Sequence, residues 1–159
     1  MAATYYLGNE VQTRQLGLGG HAEVFDVKMA APSISTTKVA NLLTDYPNIT
    51  NIHLFADNAA AVTAIADPKS GPSQYFVLKF HQTVRPLLEN NPNLLISVAW
   101  CPNHCNIPGN DRVDELAKEA TSLEWQIPFS VMHSNARRRA KHNSLLLWQQ
   151  EWKKAPRCR

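Results

Sequence analysis

The sequence has little cysteine, no long apolar run and no repeated or low-complexity segment. Three cysteines among 159 residues are too few for the disulfide framework of a small secreted protein, so reduced thiols are expected. The longest apolar run, residues 94–101, is interrupted by Ser97 and is far shorter than the roughly 18 residues of a membrane span. No basic and apolar leader opens the sequence. We therefore expect a soluble intracellular protein of the nucleus or cytoplasm, with no membrane partner.

Length and charge indicate one domain with a basic tail. At 159 residues, 44% of them apolar, the chain is long enough for one domain with a core and short for two. The net charge of +3 conceals an asymmetry. Residues 1–134 carry 8 Lys and Arg against 12 Asp and Glu, a balance of −4, whereas residues 135–159 carry 8 against Glu151 alone, a balance of +7. Such a tail attracts polyanions, although a solvated charged helix face would have a similar composition.

The apolar periodicity predicts a mixed α/β chain. Gly8-Asn9 between two β-type segments predicts an antiparallel hairpin, because this dipeptide adopts the positive φ angles of a tight turn. A buried strand that ends at Asp57-Asn58 before an alanine-rich helix is typical of an α/β crossover. The expected strands are residues 5–7, 11–16, 52–56 and 94–101, and the expected helices are residues 21–31, 38–46, 59–66, 74–89, one that begins near residue 110, and 135–154.

The sequence also predicts the local effect of two prolines and the burial of one tryptophan. Pro32 should end or kink its helix, because proline lacks a backbone donor and clashes with the preceding turn. Pro86 should kink the helix over residues 74–89 for the same reason. Trp100, at the end of the fourth strand, is interpreted as a core residue and not as a base-stacking platform.

Two aspartates stand where ligand-binding carboxylates often occur. Asp57 ends a buried strand, and the ligands of open α/β sheets gather at such carboxyl ends. Capping is the commoner role at a strand-to-helix junction, so either Asp57 or Asn58 is the expected helix cap. Asp114 lies in the first turn of its helix, where the helix dipole favours a carboxylate. From the residues alone, neither aspartate identifies a site.

Three segments resemble the motifs of the ribonuclease H type 1 domain. Residues 100–118, W-C-P-N-H-C-N-I-P-G-N-D-R-V-D-E-L-A-K, are similar to the family signature W-x-P-x-H-x-x-I-x-G-N-[DE]-x-x-D-x-L-A-K. Residues 55–61 resemble the family's strand-terminal Asp with its alanine-rich helix, and residues 21–31 resemble the motif A-E-V-[FY]-D-A-E-M-A-A. The motifs follow in family order. The similarity covers essentially the whole chain, including an Arg-rich tail with paired tryptophans as in retrotransposon versions of the family.

The resemblance implies an RNase H-like three-layer fold, in which one mixed sheet is flanked by helices. It assigns residues 1–122 to the domain and residues 123–159 to a linker and a basic amphipathic C-terminal helix. The family's first strand, which is central and usually carries T-D-G-S, has no counterpart, since Met1 falls where the second strand should begin. We therefore expect an N-terminally truncated and degenerate copy with two unpaired sheet edges.

The resemblance also implies Mg²⁺-dependent endonucleolytic hydrolysis of the RNA strand of RNA/DNA hybrids. The family holds two Mg²⁺ ions with four clustered carboxylates, since this ion takes hard oxygen ligands. Asp57 and Asp114 match two of the four and are the expected catalytic and metal-binding residues. His104 matches a mobile-loop histidine that assists proton transfer or product release, and without the motif it would be interpreted as a surface loop residue.

Lys28 occupies the position of the family's helical Glu and places an ammonium where a metal ligand is expected. Asp26 and Glu23 cannot replace that ligand, because they lie off its helix face. Mg²⁺ binding is therefore expected to be weak or absent. Three hypotheses follow: an active hybrid nuclease, an inactive module in which Lys28 neutralises the two aspartates while the basic tail holds phosphates of hybrid or duplex, or a poorly folded product without a biochemical role.

Two other kinds of site are disfavoured. Cys101, His104 and Cys105 are close in sequence, but a structural zinc site needs four ligands and no second Cys/His pair has suitable spacing. Residues 17–22 fit the dinucleotide pattern G-x-G-x-x-A. They follow an antiparallel hairpin and not a β-α-β unit, however, so a dinucleotide site is not expected.

Overall fold

The computed structural model describes residues 1–17, 23–71, 73–102, 105, 107–124 and 133–154. Strands and helices follow each other through these residues, so the predicted mixed α/β class is confirmed. None of the described helices combines the length and the apolar character that crossing a membrane requires. The elements are β1 (Ala2–Leu7), β2 (Asn9–Gln15), α1 (Val24–Asp45), β3 (Asn51–Ala56), α2 (Ala59–Ala66), α3 (Gln74–Asn90), β4 (Leu95–Trp100), α4 (Pro108–Glu119), a 3₁₀ turn (Ala120–Ser122) and α5 (His133–Lys154).

β1 and β2 form the predicted antiparallel hairpin, with Ala2 opposite Gln15 and Leu7 opposite Asn9. Gly8 connects the strands with a φ of 76°, a backbone region that a residue without Cβ adopts at little cost. Asn9, expected in the turn, is instead the first residue of β2. The hairpin therefore has the expected position, but Gly8 alone connects its strands, and not the expected two-residue turn.

The described strands form two separate two-stranded sheets, with no central strand that joins them into one mixed sheet. β3 and β4 pair in parallel, with Asn51 opposite Leu95 and Ala56 opposite Trp100. No described strand pairs with both β1 and β3, so each sheet retains unpaired edges. Because a two-stranded sheet is at best marginally stable in water, the helices must hold the two sheets in place.

α1 runs from Val24 to Asp45 as one helix, so the predicted end at Pro32 is wrong. Proline in a helix interior removes a backbone hydrogen bond at a cost of about 3 kcal/mol. Packing offsets this cost, because Met29 and Ala30 before the proline and Ile34 after it all belong to the main apolar core. α3 also continues through Pro86, as far as Asn90.

One face of α3 connects the two parts of the core. Phe76 packs in the main cluster with α1 and with Met1 and Leu16, which flank the hairpin strands. One turn further along α3, Phe80 packs in a second cluster against the inner face of the β3–β4 sheet. The other members of this second cluster are Ile65, Val84, Leu54, Ile96 and Val98.

The outer face of the β3–β4 sheet is exposed. Phe55 and Leu95 are 69% and 68% exposed, because side chains alternate along a strand and these two point away from α3. Trp100 is 54% exposed, so the expectation that it lies in the core is wrong. It is the last residue of β4 and stands beyond the second core cluster, which ends at Val98.

α4, the helix of the signature segment, packs against β1. Gly109 lies against the Tyr6 ring, which a Cβ at this position would meet at 3.4 Å, an ordinary contact distance. Gln15 Nε2 donates to the Leu116 carbonyl oxygen at 3.1 Å and to Glu119 Oε2 at 2.6 Å. The hairpin therefore fixes the position of α4.

The two faces of the β3–β4 sheet should respond differently to loss of an aromatic ring. Phe80→Ala empties a site that is 4% exposed and should lower the free energy of unfolding by about 3–5 kcal/mol. Phe55→Ala, the matched control at 69% exposure, should change it by no more than about 0.5 kcal/mol. Urea unfolding measures both values, and equal losses would contradict the assignment of inner and outer faces.

Candidate functional site

Asp57 directly follows β3, at the carboxyl end of the parallel pair of strands. Its neighbour Asn58 caps α2, because Asn58 Oδ1 accepts the backbone N–H of Ala61 at 2.9 Å. Of the two residues expected as the cap, Asn58 is therefore the one that caps α2. The Asp57 carboxylate is left to interact elsewhere, and its side chain is only 14% exposed.

Lys28 on α1 supplies the partner of Asp57. Its ammonium Nζ contacts Asp57 Oδ2 in a hydrogen-bonded ion pair across 29 residues of sequence. The Lys28 side chain is 32% exposed, so the pair is partly shielded from water. A lysine in this position neutralises the carboxylate that ends β3.

A second polar contact fixes the beginning of α1. Asp26 is 2% exposed, and its carboxylate accepts the hydroxyl of Ser73, which precedes α3. The other carboxylate oxygen accepts the backbone N–H of Glu23 at 3.4 Å. Asp26 therefore connects α1 to the beginning of α3 and does not face Asp57, in agreement with the predicted helix geometry. The sequence signal that identifies this role is the capping pattern of Glu23 and Asp26 three residues apart.

The remaining predicted site residues do not assemble with this pair into a described metal cluster. Asp114 is half-buried on α4, the helix that packs against β1. His104 lies outside the described residues. Across the part of the chain that is described, no group of three or more His, Cys, Asp and Glu side chains could hold a metal ion. Of the described site residues, Lys28 and Asp57 are those brought into direct contact.

Trp100 belongs to the surroundings of Asp57, which sequence reasoning missed. Its indole Nε1 donates to the backbone carbonyl oxygen of Asp57 at 3.3 Å. Its ring is half-exposed beside the ion pair. On the outer face of the same sheet, His53 Nδ1 and Ser97 Oγ lie 2.7 Å apart. The strand-end position of Trp100 in the sequence is the signal that could have indicated an exposed ring.

No family model, curated protein or solved structure matches this chain. The quoted motifs and the geometry of the residues themselves are therefore what indicate a function. Within that geometry, the ion pair of Lys28 and Asp57 is the most specific feature at the carboxyl end of a strand.

The Lys28–Asp57 pair should contribute more to stability than an exposed pair of the same residue types. Lys28→Met leaves a poorly hydrated carboxylate without its cation, so the free energy of unfolding should fall by about 1–2 kcal/mol. Lys69→Met is the matched control, because Lys69 pairs with Asp67 at 2.5 Å with both side chains exposed. This control should cost less than about 0.5 kcal/mol.

A double-mutant cycle with Asp57→Asn completes the measurement. Because Lys28 and Asp57 interact directly, the cost of the double variant should be smaller than the sum of the single costs by about 1 kcal/mol. Additive losses in urea unfolding would contradict a direct interaction between the two side chains.

Proposed function

We propose that this chain is a ribonuclease H-like nucleic-acid-binding domain in which hydrolysis of the RNA strand of RNA/DNA hybrids is impaired. The observation that carries the proposal is the contact between Lys28 Nζ and Asp57 Oδ2. Resemblance assigns these two residues to positions that share a metal site in the family. Residues at these two positions should lie close together, as Lys28 and Asp57 do. The Lys28 ammonium then stands where the family has a carboxylate ligand.

The arrangement of the strands also supports the family assignment. In the family, a central strand lies between the counterparts of β1 and β3. The described strands form an antiparallel pair and a parallel pair, which a strand inserted between β1 and β3 would join into one mixed sheet. Asp57 then lies at the carboxyl end of a strand next to the centre of that sheet, where ligands of α/β folds bind.

Mg²⁺ does not fit the described donor set. Two adjacent Mg²⁺ ions require several clustered oxygen ligands, and the described residues include no group of three candidate ligands. The carboxylate of Asp57 already binds the Lys28 ammonium, and this positive charge repels a divalent cation. We therefore derive no metal-dependent step, and the proposal assigns the impairment to hydrolysis and not to binding.

Binding of a hybrid does not require the lost ligands. Protein–nucleic acid affinity is dominated by cations that contact phosphates and release counterions. Residues 135–159 carry a charge balance of +7, which supplies this interaction. The proposal is thus an inactive hybrid- or duplex-binding module, and the other candidate, an active nuclease, needs the metal site that Lys28 opposes.

The proposed function predicts binding without cleavage. A labelled RNA/DNA hybrid should bind the protein in fluorescence anisotropy, and its RNA strand should remain intact in the presence of Mg²⁺. Cleavage that disappears in Asp57→Asn would identify an active nuclease and overturn the proposal. Failure to bind the hybrid at low salt would overturn it as well, since affinity of this kind is greatest there.

A charge substitution at Lys28 tests the site assignment separately. Lys28→Glu places a second carboxylate beside Asp57, so Mg²⁺ or Mn²⁺ should bind this variant and raise its Tm by stabilising the folded state. Lys28→Gln, the control without a new carboxylate, and the wild type should show no such shift. A shift that persists in Lys28→Glu combined with Asp57→Asn would show that the ion binds elsewhere.

A further inference from the structure

We propose that α5 is a binding site for single-stranded nucleic acid, in which arginines hold phosphates and the indole rings of Trp148 and Trp152 stack on bases. The proposal takes the class of ligand from the proposed function. It uses the same basic tail, but it adds base stacking on the two tryptophan rings, which binding of a hybrid does not require. The two ideas can therefore fail separately.

The charge of α5 fits a polyanion. The helix from His133 to Lys154 carries six Lys and Arg residues and a single acidic residue, Glu151. Glu151 pairs with Lys154 at 3.0 Å, and Arg138 pairs with Glu23 at 3.6 Å while remaining 63% exposed. The other four cations, Arg137, Arg139, Lys141 and Lys153, are exposed.

A cavity lies within the cationic part of the helix. Its volume is about 290 Å³, and its described lining residues are Arg138, Arg139, His142 and Asn143. The two guanidinium groups are planar arrays of N–H donors whose geometry matches phosphate oxygens. A phosphate group is therefore the chemistry that this lining fits.

Beyond the cations, α5 presents two aromatic rings. Trp148 and Trp152 are 58% and 69% exposed, and their rings stack with centroids 5.2 Å apart and an interplanar angle of 26°. Exposed aromatic rings of this kind bind unpaired bases by stacking, which double-stranded nucleic acid does not permit without unpairing. The rings thus favour single strands over duplex.

Two of the cations, Arg138 and Lys141, share one side of the helix with the rings. Arg138, Lys141, Leu145, Trp148 and Trp152 are spaced by three or four residues, which places them in one row along a helix. This row extends over about 21 Å, at about 1.5 Å per residue. Such a length suits the lower end of the roughly 4–16 nucleotides that single-strand sites cover.

Other occupants of α5 fit less well. An interfacial membrane helix needs one continuous apolar face, whereas Leu145, Leu146 and Leu147 are consecutive and point in different directions around the axis. Pairing of α5 with α5 of a second copy would bring two cationic rows together, which repel each other. A polyanion with unpaired bases satisfies both the charge and the rings.

The test measures binding of fluorescein-labelled oligo(dT) to the full chain by anisotropy. Trp148→Ala combined with Trp152→Ala should weaken binding at least about 10-fold, since each stacked base contributes on the order of that factor. Leu147→Ala is the matched control, an exposed apolar residue of α5 outside the row, and should change affinity less than about 2-fold. Equal effects of the control and the tryptophan variant would overturn the proposal.

Salt dependence tests the phosphate contacts independently. The slope of log affinity against log salt should become shallower by about 0.7 for each phosphate-contacting cation removed, in Arg138→Ala and then in Arg138→Ala with Arg139→Ala. Unchanged circular dichroism of these variants would show that the helix remains intact. An unchanged slope would overturn the proposed phosphate contacts.

Three parallel arms separate this inference from its alternatives. Binding of RNA/DNA hybrid without tryptophan-dependent binding of oligo(dT) overturns the inference and leaves the proposed function standing. Tryptophan-dependent binding of oligo(dT) without hybrid binding supports the inference and overturns the proposed function. Binding only to vesicles of phosphatidylserine and phosphatidylcholine, or concentration-dependent dimerisation through α5 in sedimentation, would overturn the inference.

Discussion

Burial of one face of α3 is the constraint on which the arrangement of this domain depends. No described strand joins the hairpin to the β3–β4 sheet, so backbone hydrogen bonds do not fix their relative position. Phe76 contacts the cluster that contains α1 and the ends of the hairpin, and Phe80 contacts the cluster against the second sheet. Both rings project from neighbouring turns of one helix. α3 therefore holds the hairpin and the β3–β4 sheet together, a role that strand pairing would have in a continuous sheet.

The ion pair at the carboxyl end of β3 follows from this packing. α1 lies along α3, and the Asp26–Ser73 contact fixes where α1 begins. Lys28, two residues further, then points to another side of the helix and reaches Asp57. The same packing that buries Asp26 thus brings the Lys28 ammonium to the carboxylate that ends β3, where the two charges compensate each other.

Sequence reasoning succeeded where a local signal decides the structure and failed where packing decides it. The range of α2 was predicted correctly because an alanine-rich segment follows a capping residue, Asn58. The break at Pro32 was predicted wrongly because the local cost of proline is offset by burial on both sides of it. Lys28 and Asp57 could be associated only through the family resemblance, since no local pattern relates residues 29 positions apart. The exposure of Trp100 depends on where the core cluster ends, which composition does not reveal.

The two parts of the chain carry net charges of opposite sign. Residues 1–134 have a balance of −4 and residues 135–159 a balance of +7, so a phosphate backbone is repelled by the first part and attracted by the second. Glu23 also pairs with Arg138 and precedes α1 directly, which places the cationic turn of α5 beside the end of α1 that carries Lys28. Lys28 is five residues from Glu23, a rise of about 7.5 Å along a helix. Lys28 neutralises Asp57 at the strand end, so this pair adds no net negative charge that would repel a phosphate approaching α5.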